Sequence, residues 1–372
     1  MKLLHTGDLH LDSAFADAGA RTAGARRESQ RALLRRIFAC AGREACDLIL
    51  IAGDLFDTPV VTPETAAEVI RLVSATGCPV VVAPGNHDPY APGSFYKRTD
   101  LPENLYVFTS EELQRFDFEE LGVAVYGYAF TGNALARRPL AEAAEPQEEP
   151  GVLRLLCAHG EYGVPASRYA PVMEQDLLRF GFVYAALGHI HNPPPQTRAG
   201  NTVVQYCGFG EGRSFDELGP GGVILAEISG DGRVRTERRN LSERTYLSDS
   251  LNVSGCATRD EVLERIGLSV SRAAENPGTT LRLRLYGTAA GECVPSEGTV
   301  RELYGGRLDG LFLEDDTVPC ADGGQLSRDI TVRGEFYRRL LPLLSSEDEQ
   351  VRRRATMALR YGLSALDGRD IL

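Results

Sequence analysis

Five short apolar runs in the first half of the chain each end in a polar tip, and this feature constrains the fold most. Continuous apolar runs of this length are typical of buried strands. Helical patterns over 31–45 and 63–75 separate the early runs, and Thr62 and Pro63 suit the start of the second helix. The alternation predicts an α/β sandwich whose tips gather beyond the carboxyl ends of the strands. The tips are GDLH, GD, GNHD, HG and GHIH, at residues 7–10, 53–54, 85–88, 159–160 and 188–191.

Five of the six histidines lie in these tips, beside carboxylates and one amide. Imidazole and carboxylate groups are the ligands of divalent manganese, iron and zinc. Two such ions roughly 3.5–4 Å apart share a bridging carboxylate. The tips therefore predict a two-metal site. The sixth histidine, His5, lies inside the first apolar run, where a packed or supporting histidine is expected.

The spacing within two tips also favours shared coordination. Asp8 and His10 are two residues apart on a segment expected to be extended, so their side chains should point to one side, and His189 and His191 have the same spacing. Glycines in the tips let the backbone turn sharply and leave room at the strand ends, at Gly7, Gly53, Gly85 and Gly188. Each motif alone has a structural alternative, because an aspartate after a strand often opens a turn. Their joint occurrence in this order favours the metal site.

The second half of the chain shows a different pattern. Residues 131–150 are rich in Ala, Glu and Pro and predict a surface excursion. Leucines alternate with other residues at 281–285 after a helical pattern at 259–274, which predicts a smaller α+β unit. We expect a catalytic domain over 1–240, an α+β capping domain over 241–333 and a C-terminal helical segment over 334–372.

The ordered tips resemble those of the calcineurin-like metallophosphoesterase superfamily. Two segments, LLHTGDLHLDS and LILIAGDLFDTP, resemble its DNA double-strand-break repair nuclease branch, the SbcD and YhaO-like exonucleases. The segment YCGFGEGRSFDELGPGG, residues 206–222, is similar to the segment that follows the last histidine pair in that branch. The resemblance covers residues 1 to about 230 with strong motifs.

The resemblance implies a role for each tip residue. It implies that one ion is held by Asp8, His10, Asp54 and His191, and the other by Asp54, Asn86, His159 and His189. Asp54 would bridge the two ions, and His87 would be the catalytic proton donor or transition-state stabiliser rather than a ligand. Asp57 would orient His87, unless it is only a turn-forming aspartate.

The implied reaction is hydrolysis of a DNA phosphodiester by an exonuclease or endonuclease. In that reaction a two-metal-activated hydroxide attacks the phosphate in line, and His87 protonates the departing oxygen. Mn²⁺ is the expected cofactor, with Fe²⁺, Zn²⁺ and Mg²⁺ as alternatives. The expected partners are DNA, a second copy of the chain in a homodimer and a coiled-coil ATPase of the SbcC or YhaN kind, to which the C-terminal helices would dock.

Two other functions remain open from the sequence. A small-nucleotide phosphodiesterase uses similar tips, and the chain could instead be mainly a structural or regulatory partner of the ATPase. Protein phosphatases are disfavoured, because Thr58 and Pro59 stand where their Arg-Gly is expected and Asp88 stands where they carry Glu.

Charge does not locate a DNA-binding surface. The net charge of −12 argues against a basic surface overall. Residues 21–43 hold seven arginines and one acid, and 352–354 is an arginine run. Both fit either a solvated helix face or phosphate contact, so no residue is assigned to DNA binding.

The remaining features predict a cytoplasmic protein with free thiols. The eight cysteines form no C-x-x-C motif, which favours eight reduced cysteines that act as small buried hydrophobic side chains. No secretory leader or membrane span is expected.

Overall fold

The computed structural model describes residues 1–15, 20–290, 293–319 and 323–366. The chain divides into two compact units, Met1–Thr245 and Tyr246–Leu372. The first contains two six-stranded sheets with flanking helices, and the second contains a three-stranded sheet with helices. This architecture confirms the predicted α/β fold with a smaller α+β unit and a helical tail.

The first five elements of the first unit, up to residue 82, follow the predicted alternation, and most of the later strands follow one another without an α-helix between them. The strands are β1 Lys2–Thr6, β2 Leu48–Ile51, β3 Val80–Val82, β4 Leu105–Val107, β5 Gln114–Phe118, β6 Val123–Gly127, β7 Leu153–His159, β8 Tyr184–Gly188, β9 Thr197–Ala199, β10 Thr202–Tyr206, β11 Gly222–Ile228 and β12 Val234–Asn240. The helices are α1 Ala20–Arg43, α2 Pro63–Ala75, α3 Pro139–Glu142 and α4 Glu174–Phe180. Thr62 caps α2 by accepting a hydrogen bond from the backbone N–H of Thr65, as predicted.

The first sheet has the order β12-β11-β1-β2-β3-β4, and the second has the order β5-β6-β7-β8-β10-β9. Strands β1 to β4 are mutually parallel, and so are β6, β7, β8 and β10. Each of the five strands that carry the polar tips therefore has at least one parallel neighbour, and β1 also pairs antiparallel with β11. Parallel strands are buried on both faces, which explains why their sequences are continuously apolar.

One buried cluster contains side chains from both sheets, including Leu3 and Leu50 from the first and Leu155 and Val203 from the second. Successive side chains of a strand point to opposite faces, so Leu4 packs with α1 and α2 on the outer side. A third cluster buries Leu177 of α4 against the outer face of the second sheet. The layers run helix, sheet, sheet, helix, and the core between the sheets fixes where their strand ends meet.

The segment 131–150 is packed more closely than predicted. Most of its residues are exposed, but Leu135 and Leu140 are buried in the outer cluster of the second sheet. Leu135 also exchanges backbone hydrogen bonds with the segment around Arg168 and Ala170. Two well-placed leucines are enough to anchor a segment whose average composition is polar.

The second unit contains the predicted alternating strand and helices. Its elements are β13 Thr245–Asn252, α5 Arg259–Ala273, β14 Thr279–Ala289, α6 Glu297–Tyr304, β15 Gly310–Pro319, α7 Gly323–Arg328, α8 Val332–Leu344 and α9 Glu349–Leu366. Leu281, Leu283 and Leu285 of β14 are buried against α5, in the alternation that the sequence predicts.

Two further expectations concern membranes and thiols. Among the described residues, no helix is both long enough and apolar enough to span a bilayer. The seven cysteines that the structure describes are free, and all but Cys46 are buried; Cys320 lies outside the described residues.

Candidate metal centre

The five polar tips meet where the two sheets face each other. Three tips come from the first sheet, at the ends of β1, β2 and β3, and two come from the second, at the ends of β7 and β8. Hydrogen bonds join them across the gap. His159 Nδ1 lies 3.1 Å from the carbonyl oxygen of Ala52, and the backbone N–H of His189 donates to the Asp8 carboxylate at 3.0 Å.

The Asp54 carboxylate lies at the centre of this arrangement. Its Oδ2 is 3.7 Å from His10 Nε2 and 3.4 Å from His159 Nε2. These histidines come from different sheets and belong to different predicted ligand sets. Asp54 is therefore the side chain that both sets share.

The residues predicted for one ion lie together. His10 Nε2 and His191 Nε2 are 3.1 Å apart, and Asp8 Oδ1 is 3.9 Å from His191 Nε2. Asp8 and His10 are buried, while His191 is partly exposed. Three donors from two tips thus face one point beside Asp54.

The residues predicted for the other ion form a second group. His159 Nε2 lies 2.9 Å from Asn86 Oδ1 and 3.3 Å from His189 Nδ1. The Tyr169 ring packs against His189 at a tilt of 37°, with 4.5 Å between the ring centroids. The structure thus brings all seven predicted ligands into one cluster with two lobes.

The backbone at these tips is not extended, so the prediction of an extended segment over Asp8 and His10 is wrong. Asp8, His10 and Asp54 have φ values of 48°, 45° and 48°, and His189 has φ 101°. Residues other than glycine rarely adopt positive φ, and such strain concentrates at functional sites. The side chains of Asp8 and His10 converge because the chain coils through left-handed conformations, not because of strand alternation.

The tip glycines leave room, as predicted, but only one of them makes a left-handed turn. Gly53 has φ +86°. A Cβ at Gly85 would lie 2.1 Å from Asp54 Oδ1, and one at Gly188 would lie 1.9 Å from the Ala52 carbonyl oxygen. These glycines are needed because the tips pack against one another.

The two remaining predicted residues, His87 and Asp57, lie at the edge of the cluster. His87 is exposed, and its ring centroid is 4.7 Å from that of His10. The Asp57 carboxylate lies 3.1 Å from His10 Nδ1, whereas His87 Nδ1 lies 3.2 Å from the Asp57 backbone carbonyl oxygen. The side chain of Asp57 is thus directed to His10, and its main chain to His87.

Comparison with known proteins identifies the family that carries this arrangement. Residues 1–195 match the calcineurin-like phosphoesterase family. The chain belongs to that family. It is 27% identical over 305 residues to the uncharacterised metallophosphoesterase YhaO of Bacillus subtilis, covering 78% of this chain and 72% of YhaO.

The chain is also similar to a protein named for DNA repair and to a subunit named as part of a nuclease. The DNA double-strand break repair protein Mre11 of Aeropyrum pernix is 28% identical over 260 residues, covering 64% of this chain and 61% of that protein. The SbcD component of the nuclease SbcCD of Escherichia coli K12 is 35% identical over 96 residues, covering 24% of this chain and 22% of SbcD. These relatives confirm the resemblance to the repair nuclease branch, although the chain aligns with less than two thirds of these two proteins.

Calcineurin-like phosphoesterases bind divalent metal ions, and the donors of this chain fit them. Carboxylate, imidazole and amide oxygen suit borderline divalent cations. The other ring nitrogen of three histidines contacts an acceptor, namely Asp57 for His10, Ala52 O for His159 and Glu217 for His191. A proton held on that nitrogen leaves Nε2 as the coordinating lone pair.

Electrostatics support the same fit. Burial lowers the pKa of His10 and His189 to about 4 and that of His159 to about 3, so these rings are neutral at pH 7. Burial also raises the pKa of Asp8 to about 8; His191 opposes this shift, and the nearby Asp54 carboxyl adds to it. Buried carboxylates close together are costly to ionise, and a divalent cation between them would offset that cost.

Sequence reasoning missed two side chains that contact the candidate ligands. Glu217 is buried, and its Oε1 lies 2.7 Å from His191 Nδ1. Arg213 contacts both Glu217 and Asp57. Both lie in the segment 206–222, which the sequence marks by resemblance only. No spacing rule connects an acid on a loop to a histidine 26 residues earlier.

Three of the seven arginines in α1 form ion pairs with acids of the first unit. Arg31 and Arg35 both pair with Glu28, and Arg36 pairs with Glu211 and Glu243. These contacts favour a structural role for the three arginines. His5 is a packed histidine, as predicted, since it is buried in β1 with Nδ1 2.9 Å from Tyr184 Oη.

Proposed function

We propose that this phosphoesterase is a metal-dependent DNA phosphodiester hydrolase of the double-strand-break repair type. The observation that carries the proposal is the shared position of Asp54 between two donor groups, with an exposed histidine at their edge. Among the relatives, Mre11 is named for DNA break repair and SbcCD for nuclease activity. These names support DNA as the substrate.

In the proposed site, Asp8, His10, Asp54 and His191 hold one ion, and Asp54, Asn86, His159 and His189 hold the other. When bound, two divalent ions supply positive charge for a phosphate and lower the pKa of water so that a nucleophile exists near pH 7. We propose Mn²⁺, which the resemblance to the repair nucleases implies and which the carboxylate and amide oxygens of Asp8, Asp54 and Asn86 would suit.

His87 is proposed to donate a proton to the departing oxygen. A protonated ring that donates Nδ1–H to the Asp57 carbonyl oxygen keeps Nε2–H for substrate, and the ring is accessible to solvent. His10 packs edge-on against this ring and limits its orientations. The proposed acid and four of the seven proposed ligands, Asp8, His10, Asp54 and Asn86, therefore come from the three tips of the first sheet.

We further propose that the protein acts as a homodimer with a coiled-coil ATPase, by analogy with the SbcCD nuclease to which one relative belongs. Gel filtration with light scattering would report the dimer. Co-purification with an ATPase of the SbcC or YhaN kind would report the partner.

The decisive experiment compares two substrates for the purified protein with Mn²⁺. Labelled linear DNA and bis(4-nitrophenyl) phosphate are incubated separately, at low salt, with and without the ATPase partner. We expect cleavage of both and loss of both on chelation with EDTA. The Asp54→Asn variant, prepared identically, controls for contaminating nucleases and should be inactive.

The outcomes separate the candidate functions. Cleavage of the small ester without any action on DNA would replace the nuclease with a small-nucleotide phosphodiesterase. Absence of cleavage of either substrate would favour a structural or regulatory role.

A further inference from the structure

Arg213 lies between two carboxylates, and each of these also contacts a histidine. Its Nη1 is 3.1 Å from Asp57 Oδ1, and its Nη2 is 2.6 Å from Glu217 Oε1. Glu217 also accepts a hydrogen bond from the Arg213 backbone N–H at 2.7 Å. The Arg213 side chain is 22% exposed and that of Glu217 is 3% exposed, so the network is largely shielded from water.

The two carboxylates orient two rings that face the same point. Asp57 Oδ1 lies 3.1 Å from His10 Nδ1, and Glu217 Oε1 lies 2.7 Å from His191 Nδ1. Acceptors at Nδ1 fix the tautomer and the ring angle of a coordinating histidine. The Nε2 atoms of His10 and His191 are 3.1 Å apart. The Arg213 guanidinium therefore contacts the acceptors of both rings.

The other lobe of the cluster is held differently. His159 Nδ1 contacts the backbone carbonyl oxygen of Ala52, which belongs to the strand end itself. Glu161 Oε1 lies 3.7 Å from His189 Nε2, beyond hydrogen-bond distance. Orientation in this lobe comes from the main chain and from packing against Tyr169, so it does not depend on Arg213.

We propose that Arg213, acting through Asp57 and Glu217, is a positioning residue for only one of the two ions, the one held by Asp8, His10 and His191. The inference rests on the two-ion site proposed above. Arginine suits the role because its planar fork reaches two carboxylates at once, whereas a lysine ammonium is a single point charge. Without the guanidinium, Asp57 and Glu217 repel each other and release both rings.

The test measures bound metal rather than activity. Wild type, Arg213→Met and Arg213→Lys are loaded with Mn²⁺, desalted and analysed for metal per chain, and the affinities are measured by calorimetric titration. We expect two ions in the wild type. In Arg213→Met one ion should bind about 10–100-fold more weakly and the other unchanged, with an intermediate loss in Arg213→Lys.

Arg115 offers a matched control. It also contacts two carboxylates, Asp117 and Glu149, and its side chain is 29% exposed. Arg115→Met should bind both ions as the wild type does. A second set of variants shows which of the two ions Arg213→Met weakens. The His159→Ala variant should keep only the ion that depends on Arg213. Adding Arg213→Met to His159→Ala should remove that ion.

Glu217→Gln provides an independent variant in case Arg213→Met does not fold, as judged by circular dichroism. It keeps an acceptor for His191 but breaks the ion pair with Arg213, so it should weaken the same single ion. Two ions at wild-type affinity in these variants, or equal weakening of both ions, would overturn the role of Arg213 and leave the proposed hydrolase intact. Fewer than two ions in the wild type would overturn the two-ion site and this inference together.

Discussion

The backbone N–H of His87 donates a hydrogen bond to Asp54 Oδ1 at 2.9 Å. The other oxygen of the same carboxylate faces His10 and His159. One side chain therefore positions the proposed acid and lies between the two proposed ligand sets. Because the bond to His87 comes from the main chain, the ring of His87 can be removed without breaking it.

The first prediction follows because the ring of His87 can be removed without breaking its backbone bond to Asp54. His87→Ala should keep both ions, because the backbone bond to Asp54 persists, and should lose at least about 100-fold in phosphodiester cleavage, because general acid catalysis is lost. Steady-state cleavage of labelled linear DNA, whose departing alkoxide needs a proton, and metal analysis of the same sample would check both parts. Cleavage at the wild-type rate would show that His87 is not the acid.

The second prediction concerns the close approach of two tips. A Cβ at Gly85 would lie 2.1 Å from Asp54 Oδ1, so Gly85→Ala must displace the shared carboxylate. We expect both ions to bind more weakly. Cleavage should fall by about 100-fold, because an ångström-scale misplacement of reacting groups lowers the rate by about that factor. Gly132→Ala, where a Cβ meets nothing within 4 Å, is the control and should behave as the wild type. Retention of both ions by Gly85→Ala would contradict this account of Asp54.

The third prediction concerns the stability of the loop that carries Asn86 and His87. Asp88 is buried and accepts hydrogen bonds from Gly85 N–H at 2.8 Å, Phe56 N–H at 3.1 Å and Tyr96 O–H at 2.6 Å. Asp88→Ala leaves three buried donors unpaired and should reduce the free energy of unfolding by about 3 kcal/mol or more.

Tyr96→Phe removes only one of these donors and should cost about 1 kcal/mol. Urea unfolding of the two variants and the wild type, monitored by circular dichroism, would give the ranking. An equal loss of unfolding free energy in both variants would mean that the hydrogen bonds from Gly85 and Phe56 to Asp88 do not stabilise the fold.

The fourth prediction is a pH dependence of stability that arises from His5. Burial lowers the pKa of His5 to about 3 from its ordinary 6.5. Between these values the unfolded chain binds a proton that the folded chain does not. The free energy of unfolding therefore falls as pH falls below 6.5, and His5 contributes up to about 1.4 kcal/mol per pH unit.

His5→Gln removes this contribution and should show a shallower pH dependence than the wild type between about pH 4.5 and 6.5. Above about pH 7.5 the two curves should run parallel, since neither state then holds the proton. Urea unfolding in the presence of a chelator, which excludes ion release at low pH, would measure both slopes. Parallel curves in the acid range would contradict the assignment to His5.

Much of the first unit could be predicted from the sequence, because strands that are buried on both faces have continuous runs of apolar residues. The runs at residues 48–51 and 80–82 coincide with β2 and β3, and the pattern at 63–75 coincides with α2. The packing of the segment 131–150 could not be predicted, because Leu135 and Leu140 anchor it through contacts that its composition does not reveal.

The contacts around the ligands were also hidden, because they join residues far apart in the chain. Arg213 and Asp57 are 156 residues apart, and no periodicity connects them. The direction of the Asp57 carboxylate towards His10 could not be predicted either. A sequence motif identifies the residue but does not determine its side-chain rotamer.

By itself, the sequence determined the five strands that carry the polar tips, the residue types at the ends of these strands and the family to which the chain belongs. Each of these is encoded locally, by hydrophobic runs and short motifs. Only the tertiary structure decided that tips from two different sheets close on Asp54, that Asp8 and His10 reach it through left-handed backbone, and that Arg213 ties Asp57 to Glu217. The physical reason is that these relations depend on how the core between the sheets packs, and packing joins residues without regard to their separation along the chain.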